Sequence, residues 1–242
     1  MQQQLRQRLW QRLTEAGILP AEQQALLDAG RLLLAATPAA PPLKLSHWVA
    51  HDSILLLDGL PLPPVPSRRY WAYHKPVGVD CNVRPEDRQS IAALLAQLPP
   101  GVFAVGRLDK DSCGLLLLTN DGAFAQRLLH PAQQHQKTYQ VNVDKTVTDV
   151  MLQQLRQGLR YQAGQLWIEA RPCLATRLGP NQLELTLTEG KNRQIRYMCK
   201  QLGLKVTRLE RTQIGQLHLP QLSEGQLLEL QPLQVALAAS AG

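Results

Sequence analysis

Four consecutive leucines at 115–118 constrain the fold of this chain most strongly. The run starts after Gly114 and ends shortly before the turn pair Asp121-Gly122, so it has the length of a strand rather than of a helix. A strand that is apolar at every position is typical of the centre of a sheet, where both faces are covered. We therefore predict a buried central strand over 114–119.

A charged segment, Gly-Arg-Leu-Asp-Lys-Asp-Ser at 106–112, directly precedes this strand. A loop that is attached to a rigid core element holds its side chains still, which is how reactive groups are commonly presented. Asp109 is therefore the candidate for a reactive carboxylate. Taken singly, Asp109 and Asp111 are more simply explained as turn formers whose side chains bond to the local backbone.

The composition is that of a soluble globular protein, with 44% hydrophobic and 19% charged residues in 242. No apolar run approaches the ~18 residues of a membrane helix, and the first residues do not form a signal peptide. We expect a cytoplasmic protein that makes no membrane contact. The spacing of the four cysteines matches no zinc pattern, so we expect reduced thiols and no metal. Cys113 is better explained as a small residue leading into the buried strand than as a nucleophile.

The net charge of +7 is unevenly distributed. Residues 1–64 contain five basic and five acidic residues, whereas residues 65–242 contain 21 basic and 14 acidic ones. Within 191–211, seven basic residues stand against one acid, Glu210. A charge run is most often a solvated helix face, but this one extends beyond a single element. We therefore favour a surface that binds a polyanion, most simply nucleic acid.

The proline-rich segment at 60–67 divides the chain. We predict a small module at 1–60, a linker at 61–67 and a large domain at 68–238. In the small module the periodicity predicts helices at 4–16 and 21–29 and strands at 31–35 and 53–57. In the large domain it predicts strands at 69–74, 114–119, 137–143, 166–175, 182–188 and 204–210, with helices starting near 90, 123, 147 and 192. Such runs of strands with helices at intervals indicate an α+β fold with a mixed or antiparallel sheet.

A third segment, Gly-Lys-Asn-Arg-Gln-Ile-Arg-Tyr-Met at 190–198, combines a helix start with basic residues. Asn192 is suited to cap the helix, and Arg193 and Arg196 share one face three residues apart. A glycine before a basic first turn suits contacts with phosphate or carboxylate groups. Without further context, Arg196 would most often be a surface residue.

Taken together, these segments resemble the pseudouridine synthases. The signature is Lys-Pro-Val-Gly at 75–78, then Gly-Arg-Leu-Asp with Ser-x-Gly-Leu at 106–115, then the segment at 190–198, followed by Leu-Glu-Arg-Thr at 209–212. The most similar subfamily modifies single uridines in ribosomal RNA. It includes group A, which acts on the small ribosomal subunit, and groups B, E and F, which act on the large one, with group F closest. The resemblance covers about 70–235, and several motifs in order are more specific than any one tetrapeptide.

The resemblance implies an α+β catalytic domain with a mixed, largely antiparallel sheet, preceded by a small S-four-like α/β module. It implies isomerisation of uridine to pseudouridine in structured RNA, most simply large-subunit ribosomal RNA, with small-subunit ribosomal RNA or transfer RNA as alternatives. Such enzymes flip a uridine out of the RNA, break its N-glycosidic bond, rotate the base and rejoin it through carbon. An isomerisation needs no metal or redox cofactor, and we expect a monomer.

The resemblance also assigns roles to individual residues. Asp109 would be the nucleophile, although it leaves open whether the carboxylate attacks the base or the ribose. Tyr139 would stack on the flipped base, its phenol being available for proton transfer, and Arg196 would pair with Asp109. The residues expected to contact RNA are Arg107, Leu108, Lys110, Asn192, Arg193, Gln194 and Arg211.

Other interpretations of these motifs have less support. A glycosidase needs two carboxylates across a bond, and nothing supplies a distant partner for Asp109. Ser112 lacks a histidine in a recognisable triad motif. The alternative is a non-catalytic RNA-binding or ribosome-assembly protein. The helix predicted at 21–29 contains Glu22 and Asp28 but no Lys or Arg, so we expect little phosphate binding by the small module.

Overall fold

The computed structural model describes residues 6–35, 42–50, 52–64 and 67–240, and the chain divides between Ser67 and Arg68 into two compact units. The small unit contains two helices, α1 (Leu9–Glu15) and α2 (Pro20–Asp28). Its strands are β1 (Arg6–Arg8), β2 (Leu32–Leu34), β3 (Trp48–Ala50), β4 (Leu55–Leu57) and β5 (Leu60–Pro61). Strand β1 pairs with β3, while β2, β4 and β5 form a second antiparallel sheet.

Two boundaries in the small unit differ from the sequence prediction. The first helix begins at Leu9 rather than at residue 4, because β1 occupies the preceding residues and pairs with β3; residues 4 and 5 lie outside the described ranges. The start of the predicted linker also belongs to this unit, because β5 pairs with β4 and the Leu62 amide donates to the Leu55 carbonyl. Linker residues 65 and 66 lie outside the described ranges.

The large unit is built on one long sheet. Its strands are β6 (Tyr70–Lys75), β7 (Phe103–Val105), β8 (Cys113–Thr119), β9 (Lys137–Val143), β10 (Arg160–Ala163), β11 (Leu166–Glu169), β12 (Leu174–Gly179), β13 (Gln182–Leu187), β14 (Val206–Ile214), β15 (Leu217–His218) and β16 (Leu227–Glu229). Its helices are α3 (Ala92–Leu95), α4 (Gly122–Leu129), α5 (Asp149–Gln157), α6 (Gln194–Gln201) and α7 (Pro232–Ala239), with a 3₁₀ turn at Pro131–Gln133.

The strand order in this sheet is β12-β13-β9-β14-β8-β6-β16, with β15 added to β14 and β7 to β8. Every pairing is antiparallel except that of β14 with β8, which is parallel. Strands β10 and β11 form a separate hairpin. The mixed, largely antiparallel sheet expected from the sequence is therefore present.

The leucine run forms the central strand β8, and all seven of its residues are buried. Its side chains alternate between two cores because successive residues of a strand point to opposite faces. Leu115 and Leu117 pack with α4 and α7, whereas Leu116 and Leu118 pack with β6 and the segment around α3. A third core joins β9, β12 and β13 to helices α5 and α6.

Several local elements of the large unit differ from expectation. The strand predicted at 204–210 is β14, which begins two residues later and continues to Ile214. The stretch predicted as one strand over 166–175 forms two, β11 and β12, with Pro172 between them, a residue that cannot donate to a ladder. The helix near residue 90 is a single turn, α3. Helix α6 is preceded by Arg193 in the left-handed conformation (φ 50°), so Asn192 is not its N-cap.

Candidate active site

The parallel junction between β8 and β14 is the point around which the site is built. Arg211 of β14 lies beside Gly114 of β8. Gly114 has a φ of +106°, and a Cβ at this position would overlap the Arg211 carbonyl oxygen and lie 2.5 Å from the Arg211 nitrogen. Only glycine allows this approach. A pocket of about 500 Å³ adjoins the junction, bordered by the 106–112 loop, β9, β14 and the segment before α6.

Asp109 borders this pocket on a loop that is fixed on both sides of it. Leu108 is only 7% exposed in the core, and its amide lies 3.4 Å from Cys81 Sγ. The Lys110 carbonyl accepts a 2.7 Å hydrogen bond from the Gly78 amide, and the Asp109 carbonyl accepts one of 3.0 Å from the Ser112 amide. The backbone at 108–112 is therefore positioned by neighbouring elements, and the half-buried Asp109 side chain is left facing the pocket.

Lys75 explains why the Lys-Pro-Val-Gly motif adjoins this loop. Its side chain is fully buried, and its Nζ donates to the carbonyls of Pro76 at 2.9 Å and Val79 at 2.7 Å. Burial lowers the pKa of Lys75, and the nearby charges of Asp109 and Asp111 partly oppose that effect. The lysine thus shapes the turn whose Gly78 amide holds the loop that carries Asp109.

Arg196 does not pair with Asp109, and this part of the sequence prediction is wrong. Its Nη2 donates to the Asp111 carbonyl at 2.7 Å and to Ser112 Oγ at 3.2 Å, and its Nε lies 3.3 Å from Asp111 Oδ2. Within the described part of the chain, the Asp109 carboxylate forms no ion pair. The reason is geometric: the reverse turn over 109–112 places Asp111, and not Asp109, against helix α6.

Asp111 is the acceptor that joins the loop to this helix. Arg193 binds it with both terminal nitrogens, at 3.0 Å and 2.7 Å. Burial by itself would raise the pKa of Asp111, but the hydrogen bond from Arg193 and the charges of Arg196 and Arg193 outweigh it, so the pKa lies below its ordinary value. Asp111 therefore stays ionised near neutral pH and fixes two arginines beside the loop.

Tyr139 of strand β9 is a second predicted catalytic residue at the pocket. It is half-buried, borders the pocket and is the direct cross-strand partner of Arg211. Lys137 lies two residues earlier and thus on the same face of the strand. Lys137 is a pocket residue that was not predicted from the sequence; its place two positions before Tyr139 in an alternating strand was the available signal.

The residues predicted to contact RNA fall into two groups. Arg107, Lys110 and Asn192 are exposed at the pocket, Arg193 is partly exposed there, and Arg107 also donates to Asn82 Oδ1 at 3.0 Å. These positions allow contact with a nucleic-acid backbone.

The other group is buried, although its three members also border the pocket, and their contact with RNA stays a prediction. The exposed fractions of Leu108, Gln194 and Arg211 are 7%, 3% and 4%. The apolar Leu108 anchors the loop in the core. Gln194 uses its amide to donate to Glu189 at 2.5 Å and to accept from the Lys191 nitrogen at 3.1 Å. Arg211 donates from Nε to the Leu115 carbonyl at 2.7 Å.

The pocket is more basic than acidic. Its border contains six Lys or Arg residues (Arg107, Lys110, Lys137, Lys191, Arg193, Arg211) and three Asp or Glu residues (Asp80, Asp109, Glu189). Glu189 is matched by Lys191 at 3.2 Å and Arg171 at 3.9 Å. The excess of positive charge suits a polyanion with one part inserted into the pocket.

Other chemistries have weaker support at this site. Cys113 is fully buried, and burial raises the pKa of its thiol to about 11, so it is a poor nucleophile. Among the described residues, no three His, Cys, Asp or Glu side chains are grouped as metal ligands would be.

The helices in the same ranges include none with the length and apolar character needed to cross a bilayer.

The model that describes the RNA pseudouridylate synthase family matches residues 69–201, more than half of the chain. The chain belongs to this family. It is 35% identical over 159 residues to the dual-specificity RNA pseudouridine synthase RluF of Salmonella typhi, an alignment that covers 66% of this chain and 53% of that protein. It is 34% identical over 173 residues to the ribosomal large subunit pseudouridine synthase B of Bacillus subtilis, covering 69% of each.

A crystal structure of a pseudouridylate synthase has the same fold. The TM-score is 0.66 at 23% identity, over 96% of this chain and 99% of that one. The family and the fold class predicted from the sequence are therefore confirmed. The chain spans about half the length of the RluF relatives it matches. The S-four-like character of the small unit stays a prediction.

Proposed function

We propose that this protein isomerises uridine to pseudouridine in structured RNA, with large-subunit ribosomal RNA as the first substrate to test. The observation that carries the proposal is Asp109, a carboxylate without an ion-pair partner among the described residues, held on a fixed loop at a basic pocket that Tyr139 also borders. The chain's membership of the RNA pseudouridylate synthase family supports the same chemistry.

The pocket would receive a single flipped nucleotide. Its volume of about 500 Å³ is within the range of small-molecule sites. Flipping costs a few kcal/mol, and least in loops and bulges of RNA. Stacking of the base on Tyr139 would return roughly 1–3 kcal/mol. Contacts of Arg107 and Lys110 with phosphates would offset the remainder and hold the flanking backbone at the rim.

Asp109 would act as the nucleophile. An ionised carboxylate forms a covalent bond to an electrophilic carbon and can later leave, which divides the exchange of an N–C for a C–C bond into two steps. Both routes, attack on ribose C1′ and attack on the base, use the same carboxylate. Rigid placement matters in either case, because a shift of about 1 Å can cost ~10²-fold in rate.

Arg196 would be a positioning residue. It reaches Asp111 and Ser112, the residues that follow Asp109 by two and three, and so orients the loop from helix α6. Arg193, which is hydrogen-bonded to the same Asp111, would place its guanidinium group near the RNA backbone.

Pseudouridine mapping across all cellular RNA tests the proposal. Cells with the wild-type gene, without it, and with Asp109→Asn are compared at single-nucleotide resolution. We expect one or a few sites to lose pseudouridine in the deletion, to regain it with the wild type, and to remain uridine with Asp109→Asn. If no site changes while the protein still binds RNA, a non-catalytic RNA-binding or ribosome-assembly role replaces the proposal.

A further inference from the structure

Two cations lie next to each other on the wall of the pocket without a carboxylate partner among the described residues. Arg211 and Tyr139 are cross-strand partners, and Lys137 precedes Tyr139 by two residues, so the three share one face of the sheet. Lys137 Nζ donates to the His135 carbonyl at 3.0 Å, and Arg211 Nε to the Leu115 carbonyl at 2.7 Å. Both acceptors are neutral, and neither cation has an ion pair within the described ranges.

This arrangement is costly in the free protein. Burial lowers the pKa of Lys137 to about 8, with the charge of Arg211 adding to the effect. Arg211 is 4% exposed, and its buried Nη2 has no acceptor among the described residues. Lys137 itself is half-buried. A cation withdrawn from water without a negative partner is costly, and the same cation stabilises negative charge that develops beside it during a reaction. The other charged groups at the pocket are Arg107, Asp109, Lys110, Glu189, Lys191 and Arg193, together with Asp80 at its rim.

We propose that Lys137, supported by Arg211, stabilises the negative charge that develops on the uracil ring during the reaction. This inference rests on the proposed function. If Asp109 bonds to ribose C1′, the N1–C1′ bond breaks and its electron pair stays on the ring. If Asp109 bonds to C6 of the base, the π pair displaced by the attack becomes an enolate. In the first route the charge is shared with both ring carbonyl oxygens, and in the second with the carbonyl oxygen at C4.

The position of Lys137 favours the base over a backbone phosphate as the group it serves. It lies on the same strand face as Tyr139, the residue proposed to stack on the base. Exposed cations for phosphates are already present at the rim, Arg107 and Lys110 among them. The reacting base and a backbone phosphate both carry negative charge on oxygen, so the experiment must distinguish between these two partners of Lys137.

Single-turnover isomerisation of a uridine-containing RNA is measured for Lys137→Met, Lys137→Arg and the wild type. Lys145→Met is the control, because it removes one exposed lysine that lies outside the pocket. Loss of one donor to a developing oxyanion typically lowers the rate by roughly 10²-fold or more. We expect such a fall for Lys137→Met, a smaller one for Lys137→Arg, and no change for the control.

A second RNA carries 5-fluorouridine at the target and separates charge stabilisation from a structural role. Fluorine stabilises negative charge on the ring, so the rate at which 5-fluorouridine is consumed should depend less on Lys137 than the rate for uridine. We expect Lys137→Met to slow this RNA at least tenfold less than the uridine RNA. Equal slowing of both, or weaker binding alone, assigns Lys137 to phosphate binding or packing and overturns the inference. If the wild type isomerises the RNA and Lys137→Met is equally active, the inference about Lys137 is overturned. If the wild type itself is inactive, the proposed function is refuted.

Discussion

Replacing Gly114 by alanine should damage the active site through the backbone alone. A residue with a side chain at a φ of +106° is strained, at a cost of roughly 1–2 kcal/mol. The new Cβ would also overlap the backbone of Arg211, which cannot rotate away as a flexible side chain can. Overpacking of this kind costs roughly 1–3 kcal/mol. We therefore expect the free energy of unfolding of the large unit to fall by about 2–5 kcal/mol.

The matched control is Gly101→Ala. Gly101 has a φ of +83°, but nothing lies within 4 Å of a Cβ built on it. This variant carries the conformational strain without the overlap and should lose only about 1–2 kcal/mol. Urea unfolding gives both values, with the large-unit transition fitted separately because two units need not unfold together. For a domain of this size, each kcal/mol corresponds to roughly 2–4 °C in Tm.

The difference between the two variants isolates the close approach of β8 to β14. Because Asp109 lies five residues before Gly114, isomerase activity at a temperature where both variants are folded should also fall further for Gly114→Ala. Equal unfolding free energies for the two variants, within about 0.5 kcal/mol, would refute the claim that this junction requires glycine.

Three further predictions concern the charged groups. Asp111→Asn should lower the free energy of unfolding by no more than about 1 kcal/mol, because the ion pairs of Asp111 are partly exposed. The same variant should slow single-turnover isomerisation at least tenfold, because it releases Arg193 and Arg196; an unchanged rate contradicts this. Arg193→Glu with Lys200→Glu should weaken RNA binding and flatten its salt dependence, and an unaltered salt slope in filter binding would oppose it. Lys137 is active when protonated and has a pKa of about 8, so kcat/KM should fall as pH rises through 8 in the wild type but not in Lys137→Arg.

The sequence was sufficient for the elements whose residues obey a local pattern. The leucine run predicted β8, and the alternation at 137–143 and 182–188 predicted β9 and β13 within a residue. The motif order identified the pocket: nine of the ten predicted site residues border it, all but Arg196. Each of these signals is contained in a short stretch of chain, so no tertiary information is needed to interpret it.

The sequence predictions fail where contacts between distant parts of the chain determine the position of a side chain. Whether Asp109 or Asp111 receives Arg196 depends on the reverse turn at 109–112 and on the position of α6, neither of which a motif encodes. Arg211 was predicted only to contact RNA; its burial could not be predicted, because it depends on the pairing of β14 beside Gly114 of β8. Lys137 was interpreted only as part of a strand, because the absence of an ion-pair partner among the described residues becomes visible only once Arg211 is placed beside it.

Single-turnover release of tritium from RNA labelled at uridine C5 tests the central claim most directly. Isomerisation replaces the C5–H bond with a C5–C1′ bond, so each pseudouridine formed releases one C5 hydrogen to solvent. We predict stoichiometric release by the wild type, none above background by Asp109→Asn, and RNA affinities for the two proteins that agree within about threefold, since loss of one interaction of this kind is worth less than about 1 kcal/mol. Release by Asp109→Asn at the wild-type rate would contradict the assignment of Asp109 as the nucleophile.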